Sequence, residues 1–359
     1  MNKKIIFSTG GSGGHILPAI NLMKHFSNNG YEVLLVTDLR GKHFMKSYPE
    51  FKTYILNIES ISKKNFLKMM YSLVLIFISI IKSIFILKKE RPNLVFGLGG
   101  YASFPVCFSS KFFNLPLLIY ENNIILGVAN KYLSKISKKI LVAKNIISNP
   151  IDKYKDNISE VGTILNKNII NSVPLKKKNN EDIFSILILG GSQGAEVFGT
   201  VVPPTIKMLN DNGYKVKVNQ QCIPSQKLSI TEFYNKNNIQ NHIFEFEKNV
   251  LDLFLCTDLA ITRCGASSTA ELVHTLTPFI AIPFPNSIHQ HQYLNAKYYK
   301  DKGCCLLLEQ EKLNTHSLFN LIVEHLENRK KLEQIRDNMK KNYKTNVYSN
   351  IENEIKKFI

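Results

Sequence analysis

A chain of 359 residues is too long for one ordinary hydrophobic core and accommodates two domains of ~150 to 180 residues each. With 44% hydrophobic and 21% charged residues it has the balance of a folded globular protein, which excludes disorder beyond short segments. The net charge of +18 suits phosphorylated substrates or anionic lipid headgroups; with no zinc-finger spacing, aromatic RNA-binding signature or single basic helix, no nucleic-acid partner is expected.

Met1 to Lys4 runs straight into the apolar stretch Ile5-Ile6-Phe7, so no signal peptide is expected and the protein should stay where it is made. Its six cysteines, Cys107, Cys222, Cys256, Cys264, Cys304 and Cys305, form no C-x-x-C pair and read as reduced cytosolic thiols. The first strand ends in Thr9-Gly10-Gly11-Ser12-Gly13-Gly14-His15, and a helix should begin there and run to about Phe26. Four glycines in five positions let the backbone curl so that helix-start amides face an anion. Two readings stand side by side: a phosphate cradle with His15 as general base, or a tight turn with a helix-start histidine. The G-x-G-x-x-G dinucleotide register is missing.

Gly30 and the strand Tyr31 to Thr37 complete a β-α-β unit. Residues Lys63 to Glu90 contain the most apolar run of the chain, Met69 to Ile81, flanked by Lys63, Lys64, Lys68, Lys82, Lys88 and Lys89. A bilayer span, a plain core helix, and a helix whose outer apolar face dips into an anionic leaflet all fit that pattern. Strands follow at Asn93 to Phe96, Leu115 to Tyr120, near Lys139 to Val142 and near Glu160 to Gly162. The first of them leads into Gly97-Leu98-Gly99-Gly100-Tyr101 and a helix, the second into Glu121-Asn122-Asn123 and a short helix after Gly127.

The polar stretch Val173 to Asp182 marks a domain boundary, after which the opening theme returns. Strand Ile183 to Leu189 leads into Gly190-Gly191-Ser192-Gln193-Gly194-Ala195 and a helix. Strands at Lys215 to Asn219, His242 to Phe246, Leu259 to Thr262 and Pro278 to Pro283 alternate with helices. The predicted fold class is therefore α/β, two similar doubly wound Rossmann-like domains facing across a cleft. Arg263-Cys264-Gly265-Ala266-Ser267-Ser268-Thr269-Ala270-Glu271 opens a helix with hydroxyls and amides for phosphate. Its Glu271 is placed either to accept from a ribose diol or simply to match the helix dipole. His289-Gln290-His291-Gln292 opens a later helix without metal-ligand spacing, and no metal or other cofactor is expected.

Taken together and in order, Gly10 to His15, Gly97 to Pro105, Glu121 to Asn123 with Gly127 and Asn130, Gly190 to Ala195, Arg263 to Glu271 and His291 to Ala296 resemble the bacterial MurG family. These are peripheral membrane N-acetylglucosaminyltransferases that convert lipid I to lipid II in peptidoglycan synthesis. The resemblance implies a GT-B-type, metal-independent inverting glycosyltransferase at the cytoplasmic face of the cell membrane. Its partners would be UDP-N-acetylglucosamine, the undecaprenyl-pyrophosphoryl acceptor lipid I and an anionic membrane surface. By resemblance His15 is the base, and Ser12, Gly13 and Gly14 contact the donor. Asn123 lies beside the transferred sugar, Ser192 meets the diphosphate, and Ala266, Ser267, Ser268, Thr269 and Ala270 line the nucleotide site. Glu271 holds the ribose, Gln292 is a further donor contact, Glu247 stands at a backbone contact to uracil, and Gly99, Gly100 and Tyr101 serve the acceptor.

Domain boundaries are expected at 1–162 (acceptor and membrane), 163–182 (linker) and 183–340 (UDP-sugar). For a C-terminal helix at 341–359, packing back on the first domain is one arrangement. Two departures from the family pattern stand out. The family commonly has His-Glu-Gln-Asn where this chain has Tyr120-Glu121-Asn122-Asn123, and Gly-Asn-Pro-Val-Arg where it has Gly162-Thr163-Ile164-Leu165-Asn166. Asn166 thus replaces an arginine that meets the donor. A related transferase with another lipid or sugar acceptor, a nucleotide-sugar epimerase and a non-catalytic nucleotide-sugar-binding module are the alternatives.

Overall fold

The computed structural model describes residues 3–59, 66–144, 157–172, 183–191, 194–247 and 249–359. Lys63, Lys64, Ser192 and the boundary stretch 173–182 lie outside the described residues. The chain divides into two compact units, one formed by Met1–Asn166 with Thr345–Ile359 and the other by Lys167–Lys344.

In the first unit the chain runs β1 (Lys4–Ser8), α1 (Gly13–Asn28), β2 (Glu32–Thr37), α2 (Leu39–Met45), β3 (Lys52–Ile55), α3 (Phe66–Glu90) and β4 (Leu94–Gly97). It continues through α4 (Ser103–Ser109), β5 (Leu117–Glu121), α5 (Val128–Leu133), β6 (Lys139–Val142) and β7 (Ile158–Glu160). The strands form one parallel sheet in the order β3-β2-β1-β4-β5-β6-β7. Strand order reverses between β1 and β4, and the two loops that leave their C-terminal ends carry Gly10–Gly14 and Leu98–Gly100. In open α/β sheets this crevice is where ligands bind. The C-terminal helix, Val347–Lys356, packs on this unit through the Tyr348 hydroxyl, which donates to Leu165 O at 2.6 Å, and through Asn350 Nδ2 on Val161 O at 3.3 Å.

The second unit contains α6 (Lys167–Ile170), β8 (Phe184–Leu189), α7 (Glu196–Asp211), β9 (Val216–Gln221), α8 (Lys227–Lys236), β10 (Gln240–Phe244) and α9 (Val250–Leu255). Then come β11 (Leu259–Thr262), α10 (Ala266–His274), β12 (Phe279–Ala281), α11 (His291–Asp301), β13 (Leu306–Leu307), α12 (Thr315–Glu327) and α13 (Arg329–Lys340). Its parallel sheet has the order β10-β9-β8-β11-β12-β13. Here the reversal falls between β8 and β11, where Gly190–Gly191 and Arg263–Gly265 emerge. Both sheets are covered on two faces, which is why β1, β4, β8 and β11 read as unbroken apolar runs, with Ile5, Ile6, Phe7, Val95, Ile186 and Ile261 fully buried.

Helix α3 is built inside out. Its buried side carries Ser72, Ser79 and Ser83 beside Leu75, Ile86 and Leu87. Ser72 and Ser83 donate back to Lys68 O and Ser79 O at 2.9 and 2.6 Å, so their hydroxyls need nothing from the core. The other side exposes large apolar groups, with Phe66 69%, Leu67 77%, Phe77 63% and Phe85 66% accessible. A plain core helix would bury those residues and leave the serines outside. With 25 residues α3 has the length and apolarity of a bilayer span, yet its serine side is packed on the unit, touching α4 through Ser109 Oγ on Ile80 O at 3.3 Å.

At the N-terminal end of the first sheet, away from the crevice, buried Glu90 accepts from Lys52 Nζ (2.7 Å), Tyr54 Oη (2.5 Å) and Lys4 Nζ (3.3 Å). Burial pushes its carboxyl up, and these three donors outweigh it and hold the pKa at about 2. This cluster staples the end of α3 to β1 and β3. Neither α2 nor β3 is signalled by the local pattern, because β3 is a short edge strand, Lys-Thr-Tyr-Ile, with little apolar alternation.

Candidate active site

Helix α1 starts immediately after the first loop because Ser12 takes the extended N-cap conformation (φ −78°, ψ 146°) and its carbonyl accepts from the His15 and Ile16 amides, both at 2.9 Å. The Ser12 hydroxyl makes no capping bond. Gly14 is exposed, with no atom within 4 Å of where a Cβ would be, so the first turn of α1 is open to a ligand. His15 is half-buried and its Nδ1 lies 2.9 Å from Leu98 O. A carbonyl only accepts, so Nδ1 carries the proton and the basic lone pair falls on Nε2. That is the tautomer a general base requires.

Glycines let the two loops come this close. Gly99 and Gly100 are left-handed at φ +83° and +79°. A Cβ on Gly100 would stand 2.6 Å from Gly10 Cα, and the Gly10 amide donates to Gly99 O at 2.9 Å. Gly11 is pressed against the Asp38 carboxylate, leaving no room for a side chain. Asp38 caps α2 by accepting from the Arg40 and Gly41 amides at 3.0 Å. Burial raises its pKa, but Arg40 and the Gly41 and Gly11 amides outweigh that and hold it below the usual range. Sequence reasoning passed over Asp38; an aspartate wedged between a strand and a helix start was its signal.

At the end of β5, buried Glu121 receives four N–H groups, and one of them is the side-chain amide of Asn123 at 3.1 Å. Tyr101, half-buried, follows Gly100 at the start of the turn into α4. The first unit thus brings together Gly13, Gly14, His15, Gly99 and Gly100 around the β1–β4 crevice, with Asn123 at the C-terminal end of the neighbouring β5.

In the second unit α10 begins at Ala266 behind the extended N-cap Gly265. Ser267 and Ser268 are half-buried, whereas Thr269 spends its amide on Gly265 O (3.0 Å) and its hydroxyl on Gly265 O and Ala266 O, and Ala270 is buried. Only the first turn of α10 therefore offers donors outward. Glu271 is half-buried, and burial pushes its carboxyl up to about 7. Gln292 Oε1 accepts from the Cys264 and Phe284 amides at 3.2 and 3.0 Å, which leaves its Nε2 as the group to meet a ligand. Arg263 turns inward instead, donating to Ile282 O, Pro283 O and Gln310 Oε1 and stacking on Phe198. Glu247 Oε1 takes the Asn249 amide at 2.8 Å. Among the described residues no group of three or more His, Cys, Asp or Glu could hold a metal ion.

Comparison with known proteins adds to this geometry. Residues 5–142 match the glycosyltransferase family 28 N-terminal domain and residues 185–353 its C-terminal domain. A Pelagibacter ubique protein is 36% identical over 351 residues, 98% of this chain and 97% of its own length. A Rickettsia canadensis protein is 34% identical over 344 residues, 95% of this chain and 96% of its own. Both are named UDP-N-acetylglucosamine–N-acetylmuramyl-(pentapeptide) pyrophosphoryl-undecaprenol N-acetylglucosamine transferase. This chain belongs to the same transferase family. The crystal structure of Acinetobacter baumannii MurG shares its fold with a TM-score of 0.81 at 21% identity, covering 99% of this chain and all of that one, which places the two α/β units in the GT-B class.

Three of the departures from the MurG pattern, Tyr120, Asn122 and Ile164, are bonded to one another. Proline, common in the family at position 164, has no N–H; Ile164 brings one into the interior, and it donates to the Tyr120 hydroxyl at 3.1 Å. The same hydroxyl donates to Gly162 O and lies 3.1 Å from Asn122 Oδ1. Tyr120 is therefore an internal tie between β5 and the segment leading to exposed Asn166. Tyr120→Phe should cost about 1–3 kcal/mol in urea unfolding, since it strands a buried N–H. Adding Ile164→Pro should recover part of that loss; equal stability of wild type and Tyr120→Phe would remove the tie.

Proposed function

We propose that this glycosyltransferase moves N-acetylglucosamine from UDP-N-acetylglucosamine to the muramyl sugar of lipid I, making lipid II, while bound peripherally to the cytoplasmic face of the membrane. The observation that carries the reading is His15, held by Leu98 O in the tautomer with basic Nε2, between the two glycine loops of the β1–β4 crevice. Nε2 takes the proton of the acceptor hydroxyl as its oxygen attacks the anomeric carbon. The bond from that carbon to the UDP oxygen breaks on the opposite face, so configuration inverts. Charge developing on the diphosphate is met by the outward amides of the first turn of α10, whose dipole favours an anion. Glu271 accepts from the ribose hydroxyls, and Ser12, Gly13, Gly14, Asn123 and Gln292 complete the donor contacts. The test is transfer of labelled N-acetylglucosamine to a lipid I analogue with chelator present. Lipid II formation supports the reading, and UDP-sugar binding without transfer refutes the acceptor.

The exposed apolar side of α3, with Lys68 and Lys82 on the same helix, supports docking on an anionic leaflet. Replacing Leu67, Phe77 and Phe85 together by serine should reduce sedimentation with anionic vesicles at least tenfold without lowering Tm, because these side chains touch solvent. Unchanged sedimentation would detach α3 from the membrane role.

A further inference from the structure

Glu121 accepts four hydrogen bonds beside the crevice, and nothing assigned above uses it. Its Oε1 accepts from the backbone and side-chain amides of Asn123, both at 3.1 Å, and its Oε2 from the Gly127 amide and Asn130 Nδ2, both at 2.9 Å. Those four bonds use the acceptor capacity of a carboxylate in full. One arm orients Asn123: with Nδ2 held by Glu121, the amide oxygen of that planar group is directed to the other side. The other arm reaches His15. Asn130 Nδ2 also donates to Tyr120 O at 3.0 Å, and it lies 3.3 Å from where a Cβ of Gly99 would be; His15 Cε1 lies 3.2 Å from the same point. Asn130 and His15 thus flank the same side of Gly99, in the Leu98–Gly99 step whose first carbonyl fixes the His15 tautomer. Asn130 is buried and its Oδ1 meets no donor among the described residues, a cost accepted so that Nδ2 can serve Glu121 and Tyr120 O.

We propose that Glu121 is a positioning residue that holds Asn123 and, through Asn130 and the Leu98–Gly99 step, His15 in one frame. The proposal rests on the transferase reading above, in which His15 is the base and Asn123 lies beside the transferred sugar. Two loops that must agree to within a fraction of an ångström are tied to a single side chain. A misplacement of about 1 Å in such a frame costs on the order of 10²-fold in rate.

Glu121→Gln tests it in the full chain. Glutamine offers one oxygen and one NH₂, so in either orientation its NH₂ faces two N–H donors. Turnover should fall ~10²-fold, while UDP affinity by calorimetry stays within about twofold, because in that reading the ribose and diphosphate are taken by Glu271 and the first turn of α10, which Glu121 does not touch. Nitrogen-15 spectra of the labelled imidazoles supply the readout that a merely structural role would not move: the single Nδ1–H tautomer of His15 should give way to a mixture. Turnover within threefold of wild type, or a fall in turnover with the His15 tautomer unchanged, overturns the proposal. If Glu121→Gln does not fold, Asn130→Ala, which cuts the arm to His15 and the bond to Tyr120 O but leaves both Asn123 bonds, decides: a tautomer mixture with ~10-fold lower turnover supports it, and wild-type values overturn it. Absence of transfer by the wild type would refute the transferase reading alone, since the His15 spectra of the variants still decide the positioning role.

Discussion

His15→Ala should lower turnover by ~10²- to 10⁴-fold while leaving UDP-N-acetylglucosamine affinity within about twofold. The side chain is half-buried with Nδ1 on Leu98 O, so truncation removes the proposed proton acceptor together with that bond. His15→Gln separates basicity from shape: its amide can still donate to Leu98 O but cannot take a proton at neutral pH. Turnover by the glutamine variant should be as poor as by alanine, measured at saturating donor and acceptor. If either variant retains wild-type turnover, His15 is a structural helix-start residue and another group accepts the proton.

The second large effect belongs to Glu271. Loss of hydrogen bonds to a charged acceptor is worth roughly 1.5–3 kcal/mol, so Glu271→Ala should weaken UDP-sugar binding by about 10- to 100-fold in a calorimetric titration. The pH dependence follows from the carboxyl that burial has raised to about 7. Ribose hydroxyls donate best to the ionised form, so affinity should fall as pH drops below about 7, and binding near neutrality should release protons. Glu271→Gln should flatten both trends. The same carboxyl works against the free protein: with its folded pKa above the ordinary 4.5, the stability it contributes is full below that value and is lost as pH rises through about 7. Glu271→Gln should therefore raise Tm at pH 8 while weakening donor binding. An unchanged Kd, or a Kd independent of pH from 6 to 8, would refute the ribose role.

The strand-loop-helix units around Gly10–His15, Gly97–Tyr101, Gly190–Ala195 and Arg263–Glu271 were legible because each is a local pattern. An apolar run fills a buried parallel strand, glycines turn the chain, and an apolar period opens the helix. His15, Gly99 and Glu271 stand out in the sequence for the same reason, as residues of those loops or of the helices they open. The sequence did not signal how Thr269 and Arg263 are used. Both stand in the stretch Arg263 to Glu271 whose sequence offers groups to a phosphate, yet Thr269 bonds back into its own helix and Arg263 turns into the core. Loop residues have an outward and an inward option, and the choice depends on neighbours far away in sequence.

By itself, then, the sequence determined the two α/β units, their glycine loops and the family, because hydrophobic period and turn chemistry act within a few residues. The tertiary structure decided the rest. Only folding brings Leu98 O to His15, Ile164 N–H to Tyr120, and Asn130 to Glu121. Only the packed unit shows that α3 buries its serines and presents phenylalanines outward. Such choices are made by hydrogen bonds and contact surfaces between segments nine to more than eighty residues apart, whose free energy exists only once the sheet has set their distance.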